Sequence, residues 1–107
     1  MASVYDYTMF KADGNVVVLG RGVAKKKWEE LKQILNCDVL EIVPKDYVDA
    51  KMHPAFENSK RGEFYMDEEA RLKCETCVRN PFFKVLKDMF GNEYDIVGDV
   101  ILERKCK

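Results

Sequence analysis

Apolar residues fall in short bursts along this chain, and the spacing within the bursts changes from one to the next. From Val4 to Phe10 the residues VYDYTMF are rich in β-favouring types, with Val4, Tyr5, Tyr7 and Phe10 predicting a first strand. Asp13-Gly14, with Asn15 beside it, is a turn signal. Val16-Val17-Val18-Leu19 is then a continuous apolar run that pairs back on the first strand as a hairpin, and Gly20-Arg21-Gly22 breaks it. From Val23 to Asn36 the period becomes helical. Ala24, Trp28, Leu31 and Leu35 share a face, Ile34 widens it, and Lys25, Lys26, Glu29, Lys32 and Gln33 occupy the opposite side. Asn36 tolerates the left-handed conformation and ends this helix. Val39 to Val43 follows as a strand closed by Pro44.

Lys45 to Arg61 has no clear period, and its length marks either a functional loop or an unstructured one. The second half resumes with GEFYM as a strand, DEEA as a turn and RLKCETCV as a short strand. Asn80-Pro81 is a helix start, because Asn caps well and Pro at the first helical position loses no useful donor. Phe82, Val85, Leu86, Met89 and Phe90 form the stripe such a helix would bury. Phe83 lies off the stripe, on the exposed side, and Gly91 is the stop. Tyr94 to Leu102 is a final strand, bent at Gly98. The expected architecture is a two-layer α+β fold in one domain spanning residues 1–107. Two helices pack on a mostly antiparallel sheet, in the order ββαβ–ββαβ.

Composition narrows the function classes more than it selects one. With 18 basic and 19 acidic residues the net charge is −1, which gives no electrostatic footprint for nucleic acid. No apolar run approaches the roughly 20 residues needed to cross a bilayer. The N-terminus MASVYDYTMF lacks the basic and apolar regions of a signal peptide, so an intracellular location is expected. Cys37, Cys74, Cys77 and Cys106 are accordingly read as reduced thiols.

Two patterns carry candidate chemistry. Cys74-x-x-Cys77 is the spacing of half a zinc site or of a dithiol redox pair. Zinc would need two further ligands, and Cys37, Cys106 and His53 are scattered rather than paired. A redox pair would sit at a helix N-terminus, whereas this one precedes Asn80 by several residues. Gly20-Arg21-Gly22 with Lys25 and Lys26 is the second pattern. Glycines at a strand-to-helix turn let backbone N–H groups approach an anion, and a bound phosphate would offset three lysines that oppose the helix dipole. Neither the Walker spacing nor the G-x-G-x-x-G fingerprint is present. The acidic sets Asp67-Glu68-Glu69 and Asp95/Asp99 are the ordinary furniture of turns and bends. His53, beside Pro54, has no sequence partner for nucleophilic catalysis.

Asp67-Glu68-Glu69, Asn80-Pro81 and Asp95-Ile96-Val97-Gly98-Asp99-Val100, in that order, together with Leu40-Glu41-Ile42-Val43-Pro44 after a leucine-bearing helix, resemble a family of small uncharacterised phage and algal-virus domains. The resemblance runs from about Trp28 to Glu103. It departs at Ala70, where the family carries Gly, and at Cys74-Glu75-Thr76-Cys77, which is not a family feature. It implies a virus-encoded accessory protein of the host cytoplasm, with no activity defined.

The functional expectation is a non-enzymatic binding module that engages a protein partner or a second copy of itself, without membrane or nucleic acid. An alternative is a protein that sequesters a nucleotide or phosphorylated small ligand at Gly20, Arg21, Gly22, Lys25 and Lys26. A further alternative is zinc or thiol chemistry at Cys74 and Cys77. No complete catalytic constellation is present in the sequence, and no cofactor other than zinc is implied.

Overall fold

The computed structural model describes residues 4–49, 51–56, 62–70 and 78–105. Strands β1 (Tyr5–Phe10) and β2 (Val16–Gly22) form the expected hairpin. In its turn the Gly14 N–H donates to the Lys11 carbonyl at 3.0 Å, and the Lys11 N–H donates to the Asn15 carbonyl at 2.9 Å. This three-residue loop needs a left-handed residue at its last position, and Gly14 supplies it at φ +94. Helix α1 (Trp28–Leu35), β3 (Leu40–Ile42) and a 3-10 turn (Lys45–Tyr47) follow. Then come β4 (Gly62–Asp67), the short β5 (Leu86–Lys87) and β6 (Glu93–Tyr94), and β7 (Val100–Lys105).

Five strands make one sheet in the order β2-β1-β7-β4-β3, and every pairing in it is antiparallel. The last strand thus lies at the centre, between two strands from earlier in the chain. Its sequence, VILERK, explains why: Val100, Ile101, Leu102 and Glu103 are all buried, as a strand covered on both faces requires. Alternation then assigns the layers. Ile101 packs with Tyr7, Leu31, Cys37, Leu40 and Tyr65 beneath the helix. Val100 and Leu102 pack with Phe10, Val43, Phe56, Phe64, Phe83 and Ile96 on the other face. That second cluster is an aromatic lattice. Phe10–Phe56, Phe56–Phe64 and Phe64–Phe83 meet edge to face at 4.9, 5.1 and 5.6 Å, contacts worth about 0.5–1.5 kcal/mol each beyond area burial.

The expectation of two helices on the sheet, in the order ββαβ–ββαβ, is overturned. Among the described residues the helix that packs on the sheet is α1, and the second face is covered by irregular chain instead. Residues 80–91 do not form the helix that Asn80-Pro81 announced. The Asn80 side-chain oxygen does accept the Phe82 N–H at 3.0 Å, as a helix cap would. Its amide, however, donates to the carbonyls of Phe10 and Gly98 at 2.8 and 3.0 Å, tying this turn to the sheet. The Lys84 N–H then goes to the Tyr47 carbonyl at 2.8 Å rather than up a helix. An Asx turn and a helix cap share the same first bond, and tertiary partners decide between them. The burial order inverts accordingly: Phe83 is fully buried, while Met89 and Phe90 are 90% and 82% exposed.

Smaller differences follow the same logic. α1 starts at Trp28 instead of Val23, because the Lys26 N–H is taken by the Tyr7 hydroxyl at 2.8 Å. Asn36 ends it at φ +52, with its own N–H on the Gln33 carbonyl. The expected strand Tyr94 to Leu102 is divided, its two ends falling in different sheets with Gly98 at φ +85 between them. Within the 45–61 stretch, Phe56 is buried. His53 packs edge-on to Phe10 at 5.0 Å and accepts the Ala55 N–H, so it is part of the core lining and not a loose loop residue.

Candidate functional site

Of the predicted anion-binding residues, Gly20, Arg21, Gly22 and Lys26 line one cleft, not arranged as a phosphate loop, while Lys25 lies against Glu103 instead. Gly20, Arg21 and Gly22 belong to the end of β2, paired with Tyr7, Asp6 and Tyr5. The register slips between Tyr7 and Thr8, which makes Leu19-Gly20 a bulge, and Gly20 takes φ +130 there, a conformation L side chains rarely adopt. The segment after β2 crosses back over the helix-side face. A cleft of about 140 Å³ opens between it and the sheet, lined by Tyr7, Leu19, Gly20, Arg21, Gly22, Ala24 and Lys26.

Each cation of the predicted site has a carboxylate partner. Arg21 pairs with Asp6 at 3.2 Å, and Arg104 reaches the same carboxylate oxygen at 2.9 Å. Lys25 lies 3.5 Å from Glu103, and Lys26 lies 3.8 Å from Glu30. Lys26 also stands over the Tyr7 ring, 5.4 Å from its centroid. An incoming phosphate would have to compete with these carboxylates.

Glu103 is the polar centre beneath this segment and gave no signal in the sequence. It is 5% exposed, accepts the Tyr7 hydroxyl at 2.7 Å, and lies 3.5 Å from the Tyr65 hydroxyl. Register places Tyr7 and Glu63 opposite it on the flanking strands. Burial, followed by the bond to Glu103, raises the Tyr7 hydroxyl pKa above its ordinary value, and the Lys26 N–H only partly offsets this. Burial and the negative charges of Glu103 and Glu63 push Tyr65 up to about 12. The result is a protonated tyrosine pair clamping a carboxylate, with Lys25 on its outer side. Through the Lys26 N–H on the Tyr7 hydroxyl and Lys25 beside Glu103, it ties the segment just before α1 to the sheet.

Among the described residues, the most exposed large apolar side chains lie at the β5–β6 hairpin. Here Asp88 holds the turn: its carboxylate accepts the N–H groups of Phe90 and Asn92, both at 2.9 Å, the Asn92 side-chain amide at 3.0 Å and the Tyr94 hydroxyl at 3.3 Å. Desolvation is the largest single influence and opposes the charge, but these donors together outweigh it and hold the carboxyl below its usual range. The Gly91 N–H closes the turn on the Asp88 carbonyl at 3.1 Å. Met89 and Phe90 stand at the tip of a turn fixed from within. Sequence reasoning missed this because the same residues fit a helical stripe. The available signal was Asp88-x-x-Gly91-Asn92, Asp at the first and Gly at the fourth position of a turn.

The remaining candidates are dispersed. Asp67 accepts the Glu69 N–H at 2.9 Å, the Glu68 N–H bonds the Val39 carbonyl, and Asp99 accepts the Ala12 N–H at 2.9 Å, all turn-stabilising roles. Cys37 is buried under α1. Cys74 and Cys77 lie outside the described residues. Among the described residues no group of three His, Cys, Asp or Glu side chains is arranged to hold a metal ion. No described helix is long and apolar enough to cross a membrane. No protein-family model, curated protein or solved structure matches the chain, so the resemblance to phage and algal-virus domains rests on its short motifs alone.

Proposed function

We propose that this protein is a non-enzymatic binding module that docks on a protein partner through the β5–β6 tip. The observation that carries this is the display of Met89 and Phe90, 90% and 82% exposed, on a turn pre-set by Asp88. Fully burying each such side chain in a partner's pocket is worth about 1.5–3 kcal/mol. A tip already held in one shape loses little entropy on docking. Large apolar anchors ringed by polar residues are the usual source of binding energy at interfaces, and Lys87 and Glu93 supply that ring.

The test is affinity capture with wild type and with the double variant Met89→Ser/Phe90→Ser. Both side chains are exposed, so the variant keeps its melting temperature and loses the captured partner. Retention of the same partner by the folded double variant sinks the proposal. The viral resemblance makes extract of an infected cell the material to use.

A second function, holding a phosphorylated ligand, is favoured by the cleft at Gly20–Lys26 and by the exposure of Arg21 and Lys25. Thermal-shift measurement with inorganic phosphate and with ATP tests it. A ligand at 100 times its Kd stabilises by about 2.7 kcal/mol, and an unmoved transition rules that ligand out.

A further inference from the structure

We propose that two copies of this chain associate antiparallel along β2, joining their five-stranded sheets edge to edge about a two-fold axis at Val17. β2 ends the sheet, and among the described residues it pairs only with β1. Its outer half is apolar on both faces: Val16, Val17 and Val18 are 39%, 37% and 75% exposed. Free edges are ordinarily protected by a charge or a proline, and between Asn15 and Gly20 there is neither.

Hydrogen-bond parity selects the register. In an antiparallel hairpin, pairs that exchange backbone bonds alternate with pairs that do not. Lys11 donates to Asn15, so the next bonded pair is Met9–Val17, and the N–H and C=O groups of Val16 and Val18 point away from β1. A two-fold axis at Val17 sets Val16 of one copy against Val18 of the other, and the reverse. The outward donors and acceptors of both residues are then satisfied. The two Val17 side chains meet at a non-bonded position, where strands bring side chains closest. Centring the axis on Val18 would set Val16 against Gly20, whose backbone the bulge turns toward Tyr7, so that register fails.

Charge does not oppose this choice, because the residues it pairs, Val16, Val17 and Val18, carry none. The occupant of this edge is therefore a second copy of the chain, because the pattern complements itself. The proposal is independent of the hairpin tip, and the Met89→Ser/Phe90→Ser variant is expected to dimerise normally.

Sedimentation equilibrium over a concentration series tests it, using wild type, Val18→Lys and Val16→Lys. The wild-type mass rises from 12.5 kDa toward twice that value. Each substitution enters a two-fold interface twice, so either one weakens dimerisation by about tenfold or more. A second measurement does not depend on the lysines being tolerated. Under mild oxidation Val17→Cys cross-links two copies, since non-bonded antiparallel partners lie within disulfide reach, while Val16→Cys cross-links no more than wild type. A wild-type mass that stays at the monomer value overturns the proposal. So does a dimer indifferent to both lysine substitutions, or cross-linking of Val16→Cys equal to that of Val17→Cys.

Discussion

Replacing Phe83 and Phe90 by alanine, one at a time, separates the observed fold from the helical alternative over residues 80–91. Phe83 is fully buried and meets the rings of Phe56 and Phe64, each at 5.6 Å between centroids. Truncating a buried phenylalanine costs about 3–5 kcal/mol, from lost transfer energy and the cavity left behind. Two lost aromatic contacts, at about 0.5–1.5 kcal/mol each, place this site in the upper part of that range. Phe90 is 82% exposed. The small part that is covered is worth less than about 0.5 kcal/mol. A helix burying the stripe Phe82, Val85, Leu86, Met89 and Phe90 requires the opposite order. Urea unfolding followed by circular dichroism reads the difference directly. With a slope of about 2 kcal/mol/M, Phe83→Ala lowers the midpoint by about 2 M and Phe90→Ala leaves it within about 0.3 M. A domain of this size has about 5–15 kcal/mol to lose, so the first variant remains measurable, and Phe83→Leu is the milder substitute if it is not. Equal costs at the two positions, or a greater cost at Phe90, refute the assignment.

Two further outcomes are expected. Asn80→Ala leaves the carbonyls of Phe10 and Gly98 and the Phe82 N–H without their partner, at about 1–3 kcal/mol for each group that water does not reach. Its urea midpoint falls about as far as that of Phe83→Ala, and a change under about 1 kcal/mol would show that the turn is not anchored there. The tyrosine pair makes the fold sensitive to alkali. An unfolded tyrosine loses its proton near 10.0, whereas the folded Tyr65 holds its proton up to about 12 and Tyr7 is raised as well. The unfolded chain therefore binds fewer protons in that window, and stability, complete below pH 10, falls as pH rises through 12. Tyr65→Phe removes one share of this slope, measured as the melting temperature against pH; identical slopes in variant and wild type contradict it.

Some of this architecture is written in the sequence by neighbours a few residues apart. Lys11 to Asn15 carries its turn in the Asp13-Gly14 pair, because the dihedral preference of glycine acts locally. Leu31 and Leu35 set the buried side of α1, and Asn36 its end, for the same reason. Alternation in GEFYMD and VILERK fixes which of their residues face α1 and which face the aromatic lattice, once each is known to be a strand.

What lies beyond the reach of local pattern was decided by partners far away in the chain. Asn80 begins either a helix or an Asx turn with the same bond, and carbonyls 70 and 18 residues away chose the turn. That choice buried Phe83, released Met89 and Phe90 to solvent and exposed the candidate docking tip. Glu103 looked like any acidic residue near the end of a strand, until a central position in the sheet surrounded it with Tyr7, Tyr65 and Lys25. The outermost place of Val16–Val18 among the described strands is also a product of strand order, since an apolar run reads alike whether its strand is central or outermost. Local dihedral preference and side-chain period set the elements, and long-range hydrogen bonding and ring packing chose which apolar residues the fold would hide.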